Sequence, residues 1–297
     1  MLVAILVPLG LASLLFTFVL FRAAIAQRVR PSAEAMFLGA ITNFFDTLGI
    51  GSFAPTMAWF KFRKMVPDRL IPPTMLVGHS LPTIMQGFIF LILLGVLVDP
   101  VLLVGCALAL VLGGLMGVPM VAKAKVWLIQ LAVAIALLIA AVLYTMTNLH
   151  LFPAGGTASS LSPELTIAAI AANFLFGILL NFGIGHYAPS LVMLSLMGLD
   201  PRLAFPIMAT GGAVTIAGAG TRHVLIGQVD LRIALAIAIG GIPAVLIAAF
   251  IVREMSLEML RWLVTAVVLY ASAVMFHSAW KGRTAGRSGL IAAGETG

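Results

Sequence analysis

A short glycine- and proline-containing pattern occurs twice in a chain that is otherwise almost continuously hydrophobic. It reads GIGSFAP at residues 49–55 and GIGHYAP at residues 183–189. Each copy is followed by a second shared pattern, RLIPPTM at residues 69–75 and RLAFPIM at residues 202–208. A gap of a single residue aligns both pairs of patterns. The chain is therefore predicted to contain two related halves, each with a break inside a hydrophobic segment, which is typical of secondary transporters.

Composition places the chain among integral membrane proteins. Hydrophobic residues make up 62% of it and charged residues only 9%, against roughly 25% charge in a typical soluble domain. Apolar stretches long enough to cross a bilayer as a helix lie at residues 2–21, 72–98, 100–122, 126–147, 203–221, 231–252 and 259–280. Two further stretches, 35–60 and 164–199, contain the repeated break. We therefore expect an all-α integral membrane protein.

The chain is expected to form a single membrane domain over residues 1–297. Its parts are an extra N-terminal helix and loop at 1–33, repeat 1 at 34–147, repeat 2 at 161–280, and a disordered tail at 281–297. The first apolar run ends in Ala24-Ile25-Ala26, which could mimic a cleaved signal peptide. No positive residue precedes the run and Arg28 follows it, so a retained helix with its N-terminus outside is predicted.

The distribution of lysine and arginine distinguishes two topologies, because cytoplasmic loops carry these residues in excess. If both broken segments cross the membrane, the 17 lysines and arginines divide almost evenly between the two sides. If each segment instead leaves the membrane on the side from which it entered, only Arg202, Arg253 and Arg261 face outside and the C-terminus is cytoplasmic. The second arrangement is favoured: seven complete spans plus two re-entrant hairpins, one from each side. Each repeat then has an odd number of crossings, so the bundle is an inverted repeat.

Several classes of function are disfavoured by the sequence. The formal net charge of +7 comes from residues that flank membrane spans, where topology and anionic headgroups account for them, so no nucleic-acid partner is predicted. The single cysteine, Cys106, cannot form an internal disulfide. No hydrolase, protease or nucleotide-binding motif and no Cys-His metal spacing occurs in the sequence. We therefore expect no enzyme activity, no cofactor and no metal site.

Each break is expected to place the N-terminus of a short helix inside the membrane. Glycine permits the turn and proline suits the first turn of a helix, so Pro55 and Pro189 should open the second arm of each hairpin. Unpaired amides and positive dipole ends there would form an anion site, although both breaks could instead be tight turns without a ligand. The predicted substrate-binding residues are Asn43, Gly49, Gly51, Ser52, Phe53 and Ala54 at the first break, and Asn181, Gly183, Gly185, His186, Tyr187 and Ala188 at the second.

Asp46, His79 and His186 are predicted to be the titratable residues at membrane depth. Intramembrane carboxylates are costly and mark ion or proton pathways by default, and histidine titrates near physiological pH. These three residues are therefore predicted to couple transport to protons. The structural alternative is a protonated Asp46 that hydrogen-bonds the broken backbone, with packed and neutral histidines. Leu180 aligns with Asp46 in the second half, so the two hairpins differ chemically.

The duplicated turns resemble those of the sulfite exporter TauE/SafE family of membrane permeases. The resemblance rests on glycine-rich turns that end in proline, each followed by a polar connection and an arginine-containing start to the next helix, over roughly residues 34–280. It implies a bacterial inner-membrane carrier for sulfite, organosulfonates and related small anions. This chain has Ser52-Phe53 and His186-Tyr187 where members of the family commonly have more glycine.

These observations predict a secondary transporter that exports a small anion by alternating access around two helix breaks, coupled to protons. An anion channel or an uptake permease is the first alternative, because the sequence does not give the direction of transport. A membrane scaffold protein is the second. The expected partners are the small anion, protons and the lipid bilayer.

Overall fold

The computed structural model describes residues 2–94, 97–117, 126–149, 151, 156–180 and 185–294. Within these ranges the chain is helical apart from its connections and one isolated β-bridge, between Ala158 and Leu199. The helices are α1 (Leu2–Ala26), α2 (Ala33–Thr47), α3 (Phe53–Arg63), α4 (Ile71–Leu93), α5 (Pro100–Gly117), α6 (Val126–Asn148), α7 (Pro163–Leu180), α8 (Tyr187–Leu196), α9 (Pro201–Leu225), α10 (Leu231–Glu254) and α11 (Leu257–Gly294).

Eight helices in the described part of the chain are long and apolar enough to cross a bilayer: α1, α4, α5, α6, α7, α9, α10 and α11. The seven spans predicted from hydropathy are all among them, with bounds that differ by a few residues. The expected all-α membrane bundle is therefore confirmed. The eighth helix is α7, the first arm of the second predicted hairpin, whose 18 residues reach about 27 Å at 1.5 Å per residue.

Hairpin 1, formed by α2 and α3, returns to the end of the bundle from which it starts. Its arms of 15 and 11 residues are about 22 Å and 16 Å long, shorter than the roughly 30 Å of the hydrocarbon core. The start of α2 meets the end of α3, where Arg63 Nε lies 2.7 Å from Glu34 Oε1 and Trp59 Nε1 donates to the same oxygen. The hydrogen bond from Arg63 holds the pKa of the Glu34 carboxyl below its usual value. This geometry is what a re-entrant hairpin requires.

Hairpin 2, formed by α7 and α8, is closed at its base by backbone hydrogen bonds. Ala158, just before α7, donates its amide to Gly198 O at 3.1 Å and accepts from the Asp200 amide at 2.9 Å, both just after α8. Gly198 has φ of 102°, a left-handed conformation that favours glycine. The two ends of hairpin 2 therefore also lie together.

The two halves of the chain pack against each other reciprocally. α2 packs on α10 and α7 packs on α5, while α4 packs on α9 and α6 packs on α11. We match α2 to α6 in order with α7 to α11. Under this match the α2–α10 contact corresponds to the α7–α5 contact. The α4–α9 and α6–α11 contacts each join a helix to its own counterpart. Two related repeats of inverted topology predict this exchange.

Glycines in α5 and α10 let each hairpin's first arm approach the other half closely. A Cβ atom on Gly240 would overlap the carbonyl oxygen of Met36 in α2, and one on Gly113 would overlap the carbonyl oxygen of Phe174 in α7. Small residues allow helix backbones to approach in this way within membranes. The same device therefore anchors both hairpins to the bundle.

The lysines and arginines lie unevenly between the two ends of the bundle. The Asp230 amide at the start of α10 donates to Thr74 Oγ1 near the start of α4, so both helices begin at the base of hairpin 1. Arg202 donates to Met255 O just after α10 at 2.8 Å, which places Arg202 at the opposite end. Helix direction places Arg253 and Arg261 there too, whereas the remaining lysines and arginines whose side chains the structure describes lie toward the base of hairpin 1.

The C-terminal segment differs from its expectation. α11 runs from Leu257 to Gly294, so residues 281–294 are helical where a disordered tail was predicted. The sequence contains no proline after the last span, so every residue there keeps the backbone N–H that a helix uses. The three residues beyond Gly294 lie outside the described residues.

Candidate binding site between the hairpin tips

The first tip, residues 48–54, comprises the turn between α2 and α3 and the first two residues of α3. The turn depends on two glycines. Gly49 and Gly51 have φ of 97° and 90°, conformations that strongly favour glycine. Asp46 Oδ1 accepts a hydrogen bond of 2.8 Å from the Ser52 amide, and Ser52 is the N-cap of α3. The carboxylate thus serves the broken backbone, as the structural alternative for Asp46 predicts. Because the Ser52 amide donates to Asp46, it is not free to bind an anion, although Ser52 was among the predicted substrate-binding residues.

The second tip is described from Gly185 to Ala188, where α8 begins. His186 is the N-cap of α8, and its Nε2 lies 3.2 Å from Met208 O. A carbonyl oxygen only accepts hydrogen bonds, so Nε2 carries the proton and a neutral His186 has no second N–H for an anion. Gly185 is exposed, and a Cβ atom added to it would meet no atom of the described residues within 4 Å. Open space therefore adjoins the backbone of the second tip.

Each short helix begins with two amides ahead of its proline. These are Phe53 and Ala54 in α3, and Tyr187 and Ala188 in α8. The first amides of a helix have no carbonyl partner within that helix, and the macrodipole adds partial positive charge there. Each short helix starts two residues before its proline. The first residues of α8 are half-buried or buried, whereas Phe53 and Ala54 at the start of α3 are exposed.

The two tips are joined through Gln86 of α4, which is 0% exposed. Gln86 Nε2 donates to Asp46 Oδ2 at 2.9 Å and to Thr47 Oγ1 at 3.0 Å. Gln86 Oε1 accepts from the Tyr187 hydroxyl at 2.8 Å. One continuous set of side-chain hydrogen bonds therefore runs from Asp46 at the first tip to Tyr187 at the second.

His79, also on α4 and 0% exposed, connects the two arms of hairpin 1. Its Nδ1 lies 2.9 Å from Asn43 Oδ1 on α2, and its Nε2 lies 3.0 Å from Thr56 Oγ1 on α3. Asn43 Oδ1 can only accept, so Nδ1 carries the proton and Nε2 accepts from the Thr56 hydroxyl. Both nitrogens of a neutral His79 are thus used within the protein.

The remaining predicted site residues fall into three groups. Asn43 is enclosed, because its Nδ2 donates to Gly39 O at 2.7 Å while its oxygen faces His79. Phe53 is 41% exposed, with its ring centroid 5.6 Å from that of His79. Asn181 and Gly183 lie outside the described residues. The structure therefore brings Asp46, Ser52 and Tyr187 together through Gln86, and it places His79 and Asn43 beside the arms of hairpin 1.

The two hairpins are packed to different extents. α8 packs against α6, α7, α9 and α11, whereas the main neighbours of α3 are α2 and α4. α3 accordingly exposes large apolar side chains such as Met57 and Phe62. Hairpin 1 is thus attached to the bundle mainly through α2 and through the polar side chains of α4.

Gln86, Thr47 and Thr56 were not among the predicted site residues. His79, Thr83 and Gln86 are spaced at i, i+4 and i+7 on α4, and this spacing places them on one helical face. Such a polar face in an otherwise apolar span was the available signal, because polar side chains in membrane helices need partners on neighbouring elements.

Comparisons with known proteins give no match: no protein-family model, curated protein or solved structure is similar to this chain. The resemblance to the sulfite exporter family therefore remains a prediction from the repeated patterns.

Proposed function

We propose that this chain is a secondary transporter that exports a small anion, such as sulfite or an organosulfonate, across the bacterial inner membrane by alternating access. The observation that carries the proposal is the meeting of two broken-hairpin tips within one membrane bundle, with the Asp46–Gln86–Tyr187 hydrogen bonds between them. Broken helices at the interface of two repeats are where secondary transporters bind substrate. The base of hairpin 1 would face the cytoplasm, because most lysines and arginines lie there.

The energetics suit a small anion that must be released again. Each helix N-terminus contributes up to about 2 kcal/mol in partly buried geometry. Charge-assisted hydrogen bonds contribute about 1.5–3 kcal/mol each, and desolvation of the anion offsets much of this sum. A fixed arginine is therefore not required, and the resulting modest affinity is compatible with turnover.

The position of Asp46 at the first tip supports the proposed coupling to protons. Asp46 is 7% exposed, and a carboxylate and an anion in the same poorly hydrated space repel each other. Protonation of Asp46 removes this repulsion, so the anion and a proton favour each other's binding. By linkage, the proton and the anion then cross the membrane in the same direction. An inward proton gradient therefore opposes export, and the outward gradient of the anion must drive it.

A binding screen on purified protein tests the proposal. Sulfite, methanesulfonate, acetate and phosphate are each titrated, and we expect saturable binding of sulfite or the sulfonate. Gly185→Val should abolish that binding, since the new side chain enters the space beside the second tip, where its Cβ atom meets no described residue within 4 Å. Gly10→Val in α1 is the matched control, because its Cβ also meets no described atom within 4 Å. Normal binding by the Gly185 variant would remove the basis for this site.

Flux into proteoliposomes distinguishes a carrier from the alternative, an anion channel or uptake permease. A carrier shows saturable flux that is accelerated by the same anion on the opposite side of the membrane. A channel shows no such acceleration. The sign of the pH gradient that drives accumulation gives the direction of transport.

A further inference from the structure

We propose that Gln86 is a positioning residue that transmits the protonation state of Asp46 to the hydroxyl group of Tyr187, and so controls whether Tyr187 can donate to the transported anion. The proposal rests on the proposed function, and it deepens that function by naming how proton and anion are coupled. It assigns a role to a buried side chain that lies between the two tips and touches both.

The direction of the hydrogen bonds is set by chemistry when Asp46 is ionised. A carboxylate only accepts, so Gln86 must turn its Nε2 toward Asp46 Oδ2, at 2.9 Å. Gln86 Oε1 then faces Tyr187 and only accepts, so the Tyr187 hydroxyl must donate to it, at 2.8 Å. In this state the single hydroxyl proton of Tyr187 is used within the protein.

Protonation of Asp46 reverses this direction. A proton on Oδ2 makes Asp46 a donor toward Gln86, and two donors facing each other are unfavourable. Rotation of the Gln86 amide by half a turn places Oε1 toward Asp46 and Nε2 toward the Tyr187 oxygen. The Tyr187 oxygen then accepts a hydrogen bond from Gln86, and the O–H group of Tyr187 becomes free to donate to another partner.

The Tyr187 hydroxyl reaches Gln86 between the tips, and the proposal places the anion beside it. Tyr187 is the first residue of α8, so its hydroxyl belongs to the same residue as one of the unpaired amides of the second tip. A proton taken up at the first tip therefore creates a hydrogen-bond donor for the anion at the second tip. No covalent bond other than the O–H bond of Asp46 forms in this step.

Other titratable groups near these side chains have their own partners or lie toward helix ends. The His186 ring packs edge-on against the Tyr187 ring at 4.7 Å between centroids and bonds to Met208 O. His79 bonds to Asn43 and Thr56. Charged and titratable side chains on the packed helices lie toward helix ends, among them Glu34 on α2, Lys61 and Arg63 on α3, Glu164 on α7, Arg202, Arg222 and His223 on α9, Arg232, Arg253 and Glu254 on α10, and Arg261 on α11.

The test measures methanesulfonate binding to purified protein at the two ends of the pH range over which wild-type affinity changes. A sulfonate remains a monoanion over this range, whereas sulfite itself takes up a proton. Tyr187→Phe should weaken binding about 10- to 100-fold at the acidic end, the loss expected for one hydrogen bond to a charged group. At the alkaline end it should have little effect, because the hydroxyl is then held by Gln86.

A second variant makes the test specific for Gln86. In the Gln86→Met background nothing holds the Tyr187 hydroxyl, so Tyr187→Phe should weaken binding by the same factor at both ends of the range. Tyr144→Phe is the matched control, because it removes the hydroxyl of another buried tyrosine, and it should change binding at neither pH.

Each outcome decides between the proposals. If the wild type binds none of the screened anions, the proposed function fails and this inference fails with it. If the wild type binds but its affinity does not change with pH, or if Tyr187→Phe has equal effects at both ends of the range, the inference alone is overturned. A merely structural role for Tyr187 predicts that equal effect.

Discussion

Replacing His79 with leucine should destabilise the protein without removing the pH dependence of anion binding. Leucine is close to histidine in size but lacks both ring nitrogens. The substitution therefore leaves Asn43 Oδ1 and the Thr56 hydroxyl without the partners they have at 2.9 and 3.0 Å. Because the site is fully enclosed, neither group gains water in exchange.

The magnitude follows from these two bonds. Hydrogen bonds between membrane helices contribute about 0.6 kcal/mol on average and up to about 1.7 kcal/mol, and a buried group left unpaired costs about 1–3 kcal/mol. We expect the free energy of unfolding to fall by about 2 kcal/mol. Denaturant titration of the detergent-purified protein measures this change, with His277→Leu as the control because His277 is exposed on α11.

A double-mutant cycle with Thr56→Val isolates the bond between α3 and α4. Valine lacks the hydroxyl, so the cost of Thr56→Val should be about 1 kcal/mol smaller when His79 is already leucine. Equal costs in both backgrounds, or a His79→Leu protein as stable as the wild type, would refute the reasoning. Loss of pH-dependent binding in a stable His79→Leu protein would instead make His79 a proton carrier.

Three further predictions concern the first tip, the topology and the packing of the hairpins. Asp46→Asn should remain folded and bind anion with little pH dependence, and unchanged pH dependence would show that the carboxylate is purely structural. In a Cys106→Ala background, membrane-impermeant thiol labelling should find cysteines at Met65 and Gly198 on opposite faces of the membrane; labelling from one face would contradict the inverted hairpins. Gly240→Ala should lower stability by about 1–3 kcal/mol, since its methyl group would overlap the main chain of α2, and a melting temperature equal to that of the wild type would count against this close contact.

The elements of this fold were predictable because each depends on local sequence. Hydropathy locates the seven long spans, since an apolar segment of about 20 residues satisfies its own backbone as a helix. The ends of hairpin 1 were placed together from the charges alone, and the ion pair between Glu34 and Arg63 is consistent with that placement. The continuation of α11 to Gly294 was missed because polar, glycine-containing composition was taken to end the helix, although nothing in it breaks the helical hydrogen bonds.

The close contacts were less predictable because they depend on which helices become neighbours. Gly113 and Gly240 lie in apolar spans where glycine has no local function, and their role becomes visible only when α7 and α2 pack against them. Gln86 is similar. Its polar side chain signals a partner, but hydropathy and repeat alignment cannot show that it touches Asp46 from one half and Tyr187 from the other.

The two tips share a backbone break but differ in the side chains at aligned positions. Both breaks place an N-cap residue three positions before a proline, so each has the same two unpaired helix amides. At the first tip the side chain of Asp46 takes up the neighbouring Ser52 amide, whereas the aligned position at the second tip is Leu180. The second tip instead has Tyr187 where the first has Phe53, which adds a hydroxyl that reaches Gln86. Two copies of one backbone break thus hold a titratable acceptor on one side and a neutral donor on the other, and the side-chain amide of Gln86 joins them.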